Sequence, residues 1–312
     1  MNKRYLKYGL HIAILGGLII AGFKYLSGEE VLNAVRSFDY SYAPFMLALS
    51  LLYVLLKGWR FVVLTQPYTD LPWSVILRAY IAGQAATLLP GGVAARAGLL
   101  NQADVPVSKG SVPVIFSSTF DQVVLVSGAL IAALWFEQGR TPILIIIGLF
   151  VLLGILLALP ATRQWFASSA DWAAHKFGIE EKWNDFLEAV PEVLTWPIMG
   201  MALGLTIVTV IVHLIILDLT FRGLDESLAY SSLVLVYILP TVLGRLSGLP
   251  GGVGVTEASM VGFITAVSDI GSGTAIAAVA IFRIVTILFS ALVGAVVYFT
   301  AWRGNEEATA SS

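Results

Sequence analysis

The sequence predicts an all-α, polytopic integral membrane protein of about six to eight spans, with two Pro-Gly-Gly-broken segments in an inverted pseudo-repeat. Composition is the first reason. Of 312 residues, 58% are hydrophobic and 12% charged, against about 25% charged in a soluble domain, and the mean hydropathy is +0.86. The second reason is the recurrence of apolar runs long enough to cross a bilayer. The third is a repeat: Leu-Pro-Gly-Gly-Val occurs as Leu89 to Val93 and again as Leu249 to Val253, each time inside an apolar stretch. Pro and Gly break helices. At membrane depth, broken backbone must be buried in protein or line a wet cavity. Matching breaks in two halves of a membrane chain mark a binding site of transporter type. A tight helix–helix turn is the plainer reading of either copy alone.

Span one is expected over Tyr8 to Leu26, behind Lys3, Arg4 and Lys7. Its length and the lack of a small-x-small site favour a retained span over a cleaved leader. Glu29 to Tyr40 reads as an amphipathic surface helix. Pro44 to Leu64 is span two; its Lys57-Gly58-Trp59-Arg60 reads as an interface marker, Trp beside basic residues. Trp73 to Leu89 is apolar but holds Arg78, Gln84 and Thr87. The first break follows, then Val93 to Leu100 with Arg96. Asn101 to Gly110 is expected to be a loop. Pro113 to Phe136 is a span with Ser117, Ser118, Thr119 and Asp121, and Thr141 to Leu159 a lipid-facing one. In Thr162 to Trp196, Trp183, Phe186, Leu187 and Val190 recur at helical spacing opposite acidic residues, which predicts one or two surface helices. Pro197 to Phe221, carrying His213 and Asp218, and Ser227 to Leu246, carrying Arg245, precede the second break. Thr256 to Val267 restarts with Glu257 in its first turn. Thr274 to about Trp302 is the last span, with Arg283 inside it.

Residues 1–304 read as a single membrane domain: a first half of about 1–160, cytoplasmic surface helices over about 161–196, and a second half of about 197–304. Residues 305–312 form a polar tail. The basic N-terminus and Arg303 put both ends in the cytoplasm of a multi-pass cell-membrane protein. If both broken segments are re-entrant hairpins, six full spans remain, and the hairpins enter from opposite sides. If each is a broken full span plus a partner, the count rises to eight or more. Trp73 to Leu89 would extend about 25 Å as a helix, close to the roughly 30 Å of the hydrocarbon core.

A helix restarting after each break presents free N–H groups and a positive dipole end, a site for an anion such as phosphate. The expected ligand contacts are therefore Pro90, Gly91, Gly92 and Arg96 at the first break, and Pro250, Gly251, Gly252 and Glu257 at the second, with Arg283. Glu257 is the natural counter-charge of Arg283, because ionisable residues inside spans seek a cavity or a partner. Asp121, Gln84, Arg245 and His213 are expected in support. The plainer readings are a structural ion pair for Glu257 and Arg283, a hydroxyl-bonded Asp121, a packed His213, and snorkelling for Arg60, Arg78 and Arg245. Net charge −2 gives no reason to expect nucleic acid as a partner, and the absence of Cys removes thiolate chemistry. His spacing offers no metal site, no cofactor is expected, and Gly271-Ser272-Gly273 does not complete a nucleophile elbow.

These motifs resemble the lysylphosphatidylglycerol synthase transmembrane family, also called flippase-like membrane proteins. The likeness is carried by Lys57-Gly58-Trp59-Arg60, by Thr87 to Gly92 running into Leu99-Leu100, by Leu249 to Glu257, which matches most closely, and by Arg283 with Gly294. Two departures stand out. The chain has Ala94-Ala95 where the family has Gly-Glu, and Ser117-Ser118 where it has a Glu-Arg pair. The resemblance implies a bacterial or archaeal plasma-membrane protein that handles lipid, without the aminoacyl-transferase domain of fused members. The functional expectation is a lipid translocase for an anionic phospholipid or a lipid-linked sugar. The alternatives are a membrane subunit that organises a lipid-modifying enzyme and an intramembrane lipid transferase. Expected partners are membrane lipids, a lipid-modifying enzyme or a second copy of the chain.

Overall fold

The computed structural model describes residues 29–87, 92–133, 159–247 and 252–302, with positions 89, 148, 152, 155 and 249. The first expected span, most of Thr141 to Leu159, the chain after Trp302, and Pro90, Gly91, Pro250 and Gly251 lie outside the described residues. All described secondary structure is helical. Four described helical stretches are long and apolar enough to cross a membrane: Tyr40–Tyr68, Val107–Ala132, Trp196–Gly223 and Ser272–Thr300.

The α-helices in order are α1 (Glu29–Ser37), α2 (Ala43–Thr65), α3 (Trp73–Gly83), α4 (Ala95–Gln102), α5 (Val107–Ala133), α6 (Pro160–Lys176), α7 (Glu180–Val193), α8 (Trp196–Gly223), α9 (Tyr230–Leu246), α10 (Val255–Val267), α11 (Ser272–Arg283) and α12 (Phe289–Thr300). A π-helical turn, Ile284–Leu288, joins α11 to α12 in one continuous rod. Helix α2 shows why these are membrane helices. Met46, Ser50, Val54 and Phe61 are buried in the bundle, while Leu47, Leu51 and Leu55 form an exposed stripe on another side. A helix apolar all round suits a lipid environment.

Two repeats of one pattern organise the chain. A long span (α2) leads to two short packed helices (α3, α4) and a second span (α5). Then α8 leads to α9 and α10, which pack together, and to the α11–α12 rod. The leading spans run antiparallel. The Asp39 N–H, just before α2, donates to Gly223 O at the end of α8 at 2.7 Å. Tyr53 stacks on His213 with ring centres 3.8 Å apart, and Arg60 reaches Thr206 at 2.6 Å. Each closing span packs on the other half's short helices, α5 on α9 and α12 on α3. Two large apolar clusters form the core, and the second also takes in Met46 of α2 and Leu125 of α5. Val54, Phe61, Ile76, Tyr80 and Leu100 build the first; Phe221, Val236, Met260, Ile264 and Phe282 build the second.

Several expectations change. Helix α3 ends at Gly83 and continues only as a 3-10 turn, Gln84–Ala86, so it extends about 16 Å rather than nearly crossing. The helix end is closely packed: a Cβ on Gly83 would meet the Arg96 side chain at 2.6 Å. The loop expected over Asn101 to Gly110 is mostly helix. Helix α4 runs on to Gln102, Asp104 turns the chain with φ +64°, and α5 starts at Val107 with Pro113 inside it. The π-turn after Arg283 was not legible. Ser50 Oγ on α2 donates to its Val285 carbonyl at 2.7 Å, tying the widened turn to α2. Helix α1 is not a free surface helix: Val31 and Phe38 are buried, and α1 packs on α11. At its exit, Asp39 accepts the Ser41 N–H at 2.9 Å, and that bond holds its carboxyl below the usual carboxylate range.

Candidate functional site

The polar centre of the described bundle lies where α2, α5, α8 and α9 meet. Lys57 and Arg60 stand three residues apart on α2, hence on one face. Both reach Asp121 on α5. Lys57 Nζ donates to Oδ2 at 2.9 Å and Arg60 Nη1 to Oδ1 at 2.6 Å. Arg245, at the end of α9, adds a third cation: its Nη2 lies 3.3 Å from Oδ2, and its Nη1 donates to Gln122 Oε1 at 3.2 Å. Asp121 is about 20 Å along α5 from either end, so the cluster lies in mid-span. The Arg60 side chain is 1% exposed, Asp121 13% and Arg245 35%. The cluster is thus sealed on the α2 side and opens toward α9.

Four further side chains complete it. Arg60 Nη1 donates to Thr206 Oγ1 at 2.6 Å, and Thr206 in turn donates to Ala202 O at 2.7 Å. Tyr53 OH accepts from Lys57 Nζ at 3.0 Å. The buried His213 holds Nδ1 2.7 Å from Tyr237 OH, while its Nε2, like Arg60 Nε, has no protein partner. A small pocket, with room for about one water molecule, is lined by Tyr53, Lys57, Asp121, Thr209, Tyr237 and Arg245.

The electrostatics follow from counting charges. Three cations share one carboxylate, which leaves surplus positive charge on side chains mostly withdrawn from water. Uncompensated charge in a span is costly. Charge-assisted bonds to an anion are stronger than neutral ones, and stronger again in a low-dielectric setting. The arrangement can therefore hold an anionic group beside Arg245 without displacing Asp121 from Lys57 and Arg60.

The sequence-expected residues divide. Asp121, Arg245 and His213, expected only in support, form the centre. In sequence Lys57 reads as an interface marker and Arg60 as snorkelling; burial and ion pairing instead hold both inside the bundle. The overlooked signal was two cations on one face of an apolar helix, with a lone carboxylate in another span. Arg283 and Glu257 pair at the second break, through the guanidinium and Glu257 Oε1. Glu257 Oε2 also accepts the Gly254 N–H at 2.5 Å. Gly252 is buried there with φ +66°. At the first break, Gly92 is buried so tightly that a Cβ would fall 1.6 Å from Ala86 O. Arg96 donates to Gln84 Oε1 at 3.3 Å. Asp121 pairs with Lys57, Arg60 and Arg245, and Glu257 with Arg283. Among the described residues, no group of three or more His, Cys, Asp or Glu is placed to hold a metal ion.

The family model described as the lysylphosphatidylglycerol synthase TM region matches residues 9–294. No curated protein matches the chain.

Proposed function

The chain belongs to the lysylphosphatidylglycerol synthase transmembrane family, and from that premise we propose that it is a translocase for an anionic membrane lipid, either a phospholipid or a lipid-linked sugar phosphate. The carrying observation is the excess of cations in mid-span, Lys57, Arg60 and Arg245 against Asp121. A headgroup phosphate placed beside Arg245 neutralises charge that the protein leaves uncompensated. The tails remain in lipid, so only the headgroup needs a polar path. The antiparallel leading spans and reciprocally packed short helices suit two exchangeable outward and inward arrangements. In this reading α3–α4 and α9–α10 are re-entrant hairpins. The ends of the chain face the cytoplasm of the cell membrane, and movement is passive or ion-coupled.

The first test is binding. In nanodiscs of neutral lipid, the protein is expected to bind short-chain phosphatidylglycerol in preference to phosphatidylcholine. Arg245→Gln is expected to weaken that binding about tenfold, the loss of one charge-assisted contact. Equal affinity for both lipids, unaffected by Arg245→Gln, would rule out the pocket as a headgroup seat.

A second reading keeps support from a separate observation. Trp165, Trp172 and Phe177 on and beside α6 are exposed, and α7 carries acidic residues along its length. These suit a subunit that docks a lipid-modifying enzyme. That reading expects a stable co-purifying enzyme, lost on truncation of α6–α7, and tolerance of Arg245→Gln. The transferase reading has less support: the carboxylates it would use, Asp121 and Glu257, pair with different cations, Lys57, Arg60 and Arg245 for the first and Arg283 for the second.

A further inference from the structure

The central pocket is short of hydrogen-bond acceptors, and that shortage selects its occupant. Tyr53 OH accepts from Lys57 Nζ at 3.0 Å, so its own proton points elsewhere, and among the described residues no acceptor takes it. Tyr237 OH lies 2.7 Å from His213 Nδ1, and the other ring nitrogen fixes the direction of that bond. His213 Nε2 is buried with no protein partner. A proton there would be an orphaned buried N–H, which folded proteins rarely tolerate, whereas a bare lone pair costs less. The proton therefore sits on Nδ1, and Nδ1 donates to the Tyr237 oxygen. The Tyr237 hydroxyl proton is left free as well. One imidazole holds both rings: Tyr53 stacks on it with centres 3.8 Å apart, and Tyr237 meets it edge-on at 5.5 Å.

The cations add to the surplus of donors. Lys57 has a further N–H beyond those it gives to Asp121 and Tyr53. Arg245 gives Nη1 to Gln122 and Nη2 to Asp121, and each of these nitrogens keeps another N–H. On the acceptor side, Asp121 already takes Lys57, Arg60 and Arg245. Thr209 Oγ1 donates to Thr206 O at 2.7 Å, which leaves only its lone pairs. Leu125 and Val210 complete the wall. The space suits about one water molecule, but a water would bring further protons into a pocket already short of acceptors. A single-atom anion brings none, accepts from every free donor and offsets the surplus charge.

We propose that this pocket binds one small monovalent anion of the halide class, such as chloride, through Lys57 Nζ, the Arg245 guanidinium and the hydroxyls of Tyr53 and Tyr237. A phosphate group is too large to enter whole; it reaches the pocket with one oxygen, from the side of the partly exposed Arg245. The halide occupies the pocket when no headgroup does, and the headgroup displaces it. The inference rests on the same excess of cations as the translocase reading, but not on lipid movement.

The test uses full-length protein in a neutral detergent and sodium gluconate, with chloride replacing gluconate stepwise at constant ionic strength while the melting temperature is read. The melting temperature is expected to climb with chloride along a one-site curve. Bromide should act alike, and sulfate should not. The apparent dissociation constant for chloride should rise at least about tenfold in Tyr237→Phe and in Tyr53→Phe, since each keeps its ring and loses a hydrogen bond to a charged group. If one variant is too unstable to melt cooperatively, the other and the wild-type anion series still decide. A wild-type melting temperature indifferent to chloride overturns the site. So does a chloride response equal in wild type and the Phe variants, which is a general salt effect. Lipid movement is assayed separately in chloride-free liposomes. Halide binding without lipid movement keeps the site and drops the translocase reading; lipid movement without halide binding does the reverse.

Discussion

Asp121→Asn is expected to lower the stability of the folded protein by about 3–5 kcal/mol, the usual result of removing one partner from a buried ion pair. Three cations converge on this carboxylate, Lys57 at 2.9 Å, Arg60 at 2.6 Å and Arg245 at 3.3 Å. The amide keeps the shape and removes the charge, so the cations repel one another with nothing to offset them. Arg60, at 1% exposure, cannot turn out to water as Arg245 can. Adding Arg60→Gln to Asp121→Asn should therefore recover part of the loss. The coupling between the two sites should exceed 1 kcal/mol, the order found for residues in one salt-bridge network. Chemical unfolding in detergent measures all three variants. A single Asn variant within about 0.5 kcal/mol of wild type, the range of an ordinary surface change, would mean that Asp121 is not the keystone.

Gly294→Ala should cost about 1–3 kcal/mol, the range for overpacking a well-filled core, and should loosen α12 from α3. The added Cβ would lie 2.5 Å from Ala85 N and 2.7 Å from Ile81 O. Both are backbone atoms, so no side-chain rotation relieves the overlap and the helices must part. Gly204→Ala on α8 is the matched control. Nothing lies within 4 Å of its added Cβ, so it should be neutral or stabilising by about 0.5–1 kcal/mol, the helix preference of Ala over Gly. If the two substitutions shift the melting temperature equally, the crossing of α12 over α3 is not as tight as the geometry requires.

Local chemistry made much of this fold legible. The repeated Leu-Pro-Gly-Gly-Val separates short helices in both halves, because Pro and Gly act on backbone near their own position. Glu257 was readable as a partner for Arg283 because each lies in apolar sequence with few other candidates. What escaped was tertiary. Lys57 and Arg60 reach Asp121 from 64 and 61 residues away, and Thr206 lies 146 residues from Arg60. No periodicity carries that information. The antiparallel docking of α2 on α8 brings these groups together, and it exists only once both halves have folded. The π-turn after Arg283 was hidden for the same reason: its Val285 carbonyl takes a bond from Ser50, 235 residues away.

The central claim is that surplus positive charge in the pocket between the two halves carries an anionic headgroup across the bilayer. Its most direct test is reconstitution into liposomes with fluorescent phosphatidylglycerol or fluorescent phosphatidylcholine in the inner leaflet, followed by surface quenching. The account predicts that wild type brings the anionic lipid to the outer leaflet at least about tenfold faster than the zwitterionic one, that Arg245→Gln removes this preference, and that empty vesicles move neither. Equal rates for both lipids in wild type, Arg245→Gln and empty vesicles would contradict it.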